Sequence, residues 1–466
     1  MSIVKRFKKT VFDIAKKNKT FRIVFRTSRD KAYQAKMVLD DPFGKLDDRL
    51  VYFRTFSGRG YSDSPKAMYE YMLKAPEYKD YRFVWCFKEP DAYSYLLKNE
   101  RTSIVKFRSR ADNIALRKAK YWITNYRMLN HQYPRKGQIY LQCWHGTPLK
   151  RLGYDILESD NAMNSLAEIK EKYRTDAKKF SYILSPSPFA TDKFATAWNL
   201  RETGQEYKII EEGYPRNDSL IGVTEGKRAE IRKALGVEDK KVILYAPTWR
   251  DNQHTSGQGY TYKTEVDFDR LQRELGDEYV ILFRAHYLVA NSFDFVRYEG
   301  FVKDVSSYGD INDLYIAADI LVTDYSSVFF DFSNLGRPII FYMYDLEHYA
   351  NEMRGFYLSL DELPGPIVKD ETALIDEIRK TEDWKADDKY KEFVKRFNPY
   401  EDGNSSKRVL ARVITDGKNG EAAVGKRKSG AAKPGAKAKK GETAKAAAGK
   451  IKKAIKGFFV KLNPGP

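Results

Sequence analysis

The run Cys143-Trp144-His145-Gly146-Thr147-Pro148-Leu149-Lys150-Arg151 puts a histidine just past an apolar stretch, Gln138 to Gln142. That stretch reads as a strand. Pro148 suits the first turn of a following helix, where its missing N–H would go unpaired in any case. The free N–H groups of such a turn face an anion. An imidazole beside an anion can move protons for chemistry on a phosphate. The other reading makes His145 a satisfied structural histidine in a tight turn, and spacing alone leaves both open.

Four more clusters have residue types suited to phosphate. Gly213-Tyr214-Pro215-Arg216-Asn217-Asp218 starts as a turn and carries an arginine that can fork onto a phosphate. Pro247-Thr248-Trp249-Arg250 follows an apolar run, as does Arg284-Ala285-His286. Arg284 and His286 are two apart and point the same way if their strand continues. Thr323-Asp324-Tyr325-Ser326-Ser327, with Asp331 beyond it, offers two hydroxyls and the N–H groups of a helix start, which suit a pyrophosphate. Each cluster also has an ordinary explanation: a turn, a helix cap, an exposed ion pair or a solvated strand end. Five of them at strand ends or turns in one chain favour a phosphate-handling cleft.

The elements that must position these residues alternate. Strands are expected at Leu50–Phe56, Tyr81–Phe87, Ser103–Phe107 and Tyr121–Tyr126, with helices at Lys66–Leu73, Asp91–Asn99 and Ser109–Ala119. A second series has strands at Val242–Tyr245, Val280–Phe283, Ile320–Val322 and Ile339–Phe341, with helices at Glu265–Leu275 and Ile311–Ala318. Such alternation predicts parallel sheets covered by helices, with ligands at the carboxyl ends of the strands. The fold expected is α/β, two Rossmann-like domains facing a cleft, at 50–204 and 205–417. Gly58 and Gly60 fit only part of a dinucleotide fingerprint, because position 63 is Asp, so NAD is not expected.

The 466 residues carry a net charge of +19. Fourteen Lys and Arg against two Glu between 418 and 466 account for +12 of it. A basic excess suits polyanionic partners: nucleic acid, an anionic membrane or phosphate-rich substrates. Residues 418–448 are mostly Gly, Ala and Lys and cannot bury a core, so a disordered tail is expected. Within 418–466, Ile451, Ile455, Phe458, Phe459 and Leu462 then recur at helical spacing among lysines. This is an amphipathic segment suited to a membrane surface, with nucleic acid as its rival. Residues 1–20 have a similar basic amphipathic pattern, which a membrane surface or the protein body could cover. Cys86 and Cys143 lie in apolar runs, which points to buried thiols in a reducing compartment. No apolar run reaches the roughly 20 residues that span a bilayer, and no secretory leader is evident. A cytoplasmic address is expected.

Read together and in order, Trp144-His145-Gly146-Thr147-Pro148 with Lys150, Gly213–Asp218, Tyr245–Arg250, Arg284 with His286, and Thr323–Ser327 resemble the CDP-glycerol glycerophosphotransferase family of teichoic acid synthesis. The likeness runs from about residue 50 to about residue 410, and the loop from Gly58 to Pro65 also looks like the family's first domain. The basic tail is not part of it. The resemblance implies a GT-B fold and transfer of glycerol phosphate, or ribitol phosphate, from a CDP-activated donor to a hydroxyl of a lipid-linked acceptor, releasing CMP. By that resemblance His145 is the base, and His286 is a second catalytic group as a cationic phosphate ligand. Trp144, Gly146, Thr147, Pro148, Arg216, Pro247, Thr248, Arg284, Ala285, Ser326, Ser327 and Asp331 are placed around the donor. The sequence has no evident acidic pair built for a divalent ion, so no metal or other cofactor is expected. Membrane docking at the cytoplasmic face is expected; nucleic-acid binding is not. A glycosyltransferase using a nucleotide sugar, or a non-catalytic membrane-docked protein, are the competing readings.

Overall fold

The computed structural model describes residues 18–158, 165–248, 254–255, 259–260, 266–285, 295–346 and 355–418. Two parallel sheets organise them. The first holds β1 (Asp47–Arg54), β2 (Arg82–Phe87), β3 (Thr102–Lys106), β4 (Ala119–Thr124), β5 (Ile139–Gln142), β6 (Tyr182–Ser185) and β7 (Ile209–Glu211). Its order is β3-β2-β1-β4-β5-β6-β7. β8 (Lys241–Ala246) begins the second half, and a two-stranded ribbon, β9 (His254–Thr255) with β10 (Gly259–Tyr260), follows it. β11 (Tyr279–Phe283), β12 (Val302–Asp304), β13 (Ile320–Thr323), β14 (Ile339–Tyr342) and β15 (Ile367–Val368) complete the second sheet, in the order β12-β11-β8-β13-β14-β15.

The central strands carry apolar runs, as burial on both faces requires. β2 and β4 show it: Phe83, Trp85, Cys86, Phe87, Tyr121, Trp122 and Ile123 are all buried. Covering helices at Asp63–Lys74, Arg110–Lys118, Phe268–Leu275 and Ile311–Ala317 lie close to their expected positions. The expected helix at Asp91–Asn99 is a 3₁₀ segment, Pro90–Lys98, kinked at Tyr93. Both cysteines are free and buried.

Two boundaries differ from expectation. β7 pairs with β6, so the first sheet extends past residue 204. The helix Ser405–Lys418 returns to the first half, where Val409, Leu410, Val413 and Ile414 share a core with Val51, Phe53 and Leu141. Its apolar stripe has its partner there, so it is not part of the second domain. The expected helices at 1–20 and in the tail, and the disorder expected over 418–448, fall outside the described residues apart from the helix that ends at Lys418. A 22-residue helix that was not expected, Lys19–Asp40, begins at Asn18, whose side chain accepts from the Phe21 N–H. Among the described residues no helix is long and apolar enough to cross a membrane.

Candidate active site

β5 delivers His145 to the carboxyl edge of the first sheet, and no helix follows it. The segment after His145 is extended. Leu149 O accepts from Tyr357 N at 2.8 Å, Arg151 N donates to Gly355 O at 2.9 Å, and Lys150 forms a bridge with Phe356. The expected anion-binding helix start at Pro148 is therefore corrected: these backbone groups are used to tie the His145 segment to the second half.

The imidazole is fixed by its neighbours. His145 Nδ1 lies 2.9 Å from Asn125 O. A carbonyl only accepts, so Nδ1 carries the proton and Nε2 keeps its lone pair. Phe56, Tyr126 and Trp144 surround the ring, with centroids 6.0, 5.7 and 4.4 Å away. Burial lowers the imidazole pKa from its ordinary value; the Asn125 carbonyl and Asp63 oppose this, and Arg216 adds to it. The ring is thus neutral at neutral pH, as a base must be. Backbone strain gathers here. Phe56, Ser57, Asp63 and Trp144 all have positive φ, between 43° and 64°, which a non-glycine residue holds only when its surroundings enforce it.

Gly146 lies close against the segment that follows β13. A Cβ on it would lie 2.8 Å from Ser327 Oγ. The Tyr214 hydroxyl donates to Gly146 O at 3.1 Å. Gly213 allows that turn, with φ of 84° and Ser405 Oγ only 2.4 Å from where a Cβ would sit.

The carboxyl ends of β8, β11 and β13 lie side by side, since Tyr245 pairs with Phe283 and Ala246 with Thr323. They bring Pro247-Thr248, Arg284-Ala285 and Ser326-Ser327 to one edge. Asp324 Oδ1 accepts from Thr248 N at 2.7 Å and Tyr325 N at 2.6 Å, and so joins two of these loops. Arg284 is held at one end: its NH1 donates to Val305 O and Tyr308 O, each at 3.0 Å. No carboxylate pairs with it among the described residues. A guanidinium anchored by carbonyls in this way can still fork onto a phosphate.

Several expected donor contacts have partners within the protein. Trp144 packs in the first core, edge-on to Trp198 at 4.8 Å, and lies against the His145 ring. Arg216 is buried between Asp331, at 3.0 Å, and Asp63, at 3.6 Å. The three form an interdomain ion triad, in which Arg216 Nε and Nη1 have no hydrogen-bond partner among the described residues. Asn217 joins them by donating to Asp331 and Glu401. Ala285 N donates to Ser306 Oγ, so that N–H is not available to a donor. Thr147 Oγ1 is buried with no hydrogen-bond partner among the described residues, and Pro148 is buried. His286, Trp249 and Arg250 lie outside the described residues. Among the described residues no group of three or more His, Cys, Asp or Glu is arranged to hold a metal ion.

The family model described as CDP-Glycerol:Poly(glycerophosphate) glycerophosphotransferase matches residues 34–415. The chain belongs to this family. A teichoic acid glycerol-phosphate transferase of Staphylococcus aureus is 40% identical over 377 residues, 78% of this chain and 92% of that relative. A teichoic acid poly(glycerol phosphate) polymerase of Staphylococcus epidermidis is 38% identical over 379 residues; the match covers 80% of this chain but 51% of that longer relative. A solved structure of the wall teichoic acid polymerase TagF is 35% identical, with a TM-score of 0.74, covering 90% of this chain and 99% of that one. The two-sheet architecture is thus of the GT-B type, and the chain is a transferase of teichoic acid synthesis that works on a CDP-activated glycerol phosphate.

Asn125, Asp63 and Glu401 were not singled out in the sequence, and Tyr214 stood there only as a member of the Gly213–Asp218 turn. Asp63 was visible only as a departure from a glycine pattern. Asn125 does follow the β4 strand directly, which is the same signal that marked His145.

Proposed function

We propose that the chain transfers glycerol phosphate from CDP-glycerol to a hydroxyl of a lipid-linked acceptor, with His145 Nε2 as the base. The observation that carries this is His145 itself, neutral and fixed through Nδ1 to Asn125, on a segment that meets Ser327 of the donor side. Nε2 takes the acceptor hydroxyl proton as the new O–P bond forms at the glycerol-bearing phosphorus. The bond from that phosphorus to CMP breaks, and CMP leaves. Charge spreads over the phosphate oxygens in such a step. In this reading Arg284 and the hydroxyls of Ser326, Ser327 and Thr248 stabilise it, with Pro247 beside the nucleotide. His286, two residues beyond Arg284, is proposed as a further phosphate ligand.

Transfer needs no metal in this reading, because Arg284 and fixed donors supply the positive charge. Activity should survive EDTA; abolition by EDTA with restoration by Mg²⁺ would contradict that. The enzyme docks peripherally on an anionic membrane, and nucleic acid is not its partner. Supporting this, the Lys19–Asp40 helix and the turn after it leave Ile23, Val24, Phe25, Val38, Leu39 and Phe43 exposed, with basic residues between them. The test is incubation with CDP-glycerol, CDP-ribitol and UDP-sugars plus a lipid-linked primer analogue. CMP release and a longer primer with CDP-glycerol are expected. Nucleotide release only from a UDP-sugar would make it a glycosyltransferase.

A further inference from the structure

A cavity of about 420 Å³ lies over the carboxyl ends of β1 to β4, on the same edge as His145. Its walls come from residues that follow four strands in turn: Ser57 and Arg59 after β1, Lys88 after β2, Arg108 after β3 and Tyr126 after β4. Three cations line it and no carboxylate does. Neither Lys88 nor Arg108 forms an ion pair among the described residues. Like charges gathered around a concave, half-enclosed space repel, and an anion there relieves the repulsion.

The cavity is built with care at the backbone. Arg108 has a φ of 64°, and its N–H is held at 2.8 Å by Asp112 Oδ2. Asp112 is buried and fixed by the Tyr52 hydroxyl at 2.7 Å. Phe56 and Ser57 are strained in the same sense, and Phe56 N donates to Asn125 Oδ1 at 2.9 Å. Of the six positive-φ non-glycine residues among the described ones, Phe56, Ser57, Arg108 and Trp144 thus border this cavity or the His145 ring. Strain of this kind is kept where geometry serves a ligand.

Only one layer of side chains separates the cavity from the base. Tyr126 lines the cavity and also packs 5.7 Å from the His145 ring. Ser57 lines it, and its neighbour Phe56 packs 6.0 Å from the same ring. A second cavity of about 390 Å³ shares Arg108, Tyr126 and Leu129 with the first and continues toward the Lys19–Asp40 helix. Its cations Arg29, Lys36 and Arg127 are already paired with Asp30, Asp40 and Asp176. Lys88 and Arg108 thus bring positive charge with no ion-pair partner among the described residues to the first cavity.

We propose that Arg59, Lys88 and Arg108 form an acceptor subsite that binds the phosphodiester next to the acceptor's terminal hydroxyl, and so presents that hydroxyl to His145. This rests on the reaction proposed above. It makes the acceptor a polyanion recognised by its phosphates, and it makes the first half of the chain the reader of that polyanion.

The probe is a soluble tetramer of glycerol phosphate, without lipid, titrated calorimetrically into the full-length protein in the absence of donor. The wild type should bind it, and added salt should weaken binding. Lys88→Gln with Arg108→Gln should weaken it at least tenfold, while Lys88→Arg retains it. CDP-glycerol affinity should stay within twofold of wild type in both variants, which also reports correct folding; both side chains are exposed. Tetramer affinity within twofold of wild type in the double variant would overturn the subsite. So would a wild type that ignores the tetramer but binds anionic vesicles, because the charge would then serve lipid headgroups. CMP release by the wild type separates the two ideas. Release with an unchanged tetramer affinity removes the subsite alone. No release, with tetramer affinity lost in the variant, removes the reaction and leaves an anion site.

Discussion

At the scale of residues, the histidine proposed as the base could be found in the sequence, but its support could not. His145 ends an apolar strand beside Gly-Thr-Pro, a local pattern. Asn125 and Asp63 act on it from 20 and 82 positions away, and only folding brings them there. Arg216 likewise has partners that no local pattern shows. An arginine in a turn has the chemistry to bind phosphate, and here two carboxylates from distant segments hold it. Gly146 carries a sharp prediction. Its Cβ-free approach to Ser327 brings the base loop to the donor side. Gly146→Ala should push Ser327 aside and raise the KM for CDP-glycerol several-fold, measured by CMP release at varied donor. An unchanged donor KM would show that Ser327 does not touch the donor.

At the scale of elements, the strands were legible because both faces are buried and the residues form apolar runs. The stretch from 166 to 235 was not. Its helices Leu166–Ala177 and Glu225–Leu235 are polar-rich, Pro188–Ala197 is short, and β7 is three residues long. The Ser405–Lys418 helix was missed as a partner of the first sheet because its stripe does not name the core it joins. The contact it helps close contains Glu401. This carboxyl is fully enclosed, accepts from Tyr214 N at 2.9 Å and Asn217 Nδ2 at 3.2 Å, and is pushed up to about 8, chiefly by burial. Between the ordinary carboxylate range and that value the folded chain holds a proton that the unfolded chain has lost. Stability therefore falls as pH rises through this window, by up to about 1.4 kcal/mol per pH unit. Glu401→Gln should flatten the dependence of melting temperature on pH between 5 and 8 relative to wild type. An equal slope in both proteins would remove Glu401 as its source.

At the scale of the whole molecule, charge is unevenly placed, with +12 of the +19 beyond residue 417. If these lysines dock the enzyme, each contributes about 1 kcal/mol near an anionic leaflet. Cutting the chain after Gly417 should then lower the fraction floating with anionic liposomes, and high salt should lower it further. Flotation unaffected by the cut would assign docking to the Lys19–Asp40 helix instead. The two halves have separate tasks in this account: the second holds the donor, and the first supplies the base and reads the acceptor. The most direct measurement of that division is His145→Ala, assayed for CDP-glycerol affinity and for turnover on a lipid-linked primer in the same preparation. Donor affinity should stay within a few-fold of wild type while kcat falls by about 10²–10⁴. Turnover near the wild-type level with donor affinity intact would contradict the account, because the proton would then leave the acceptor by another route.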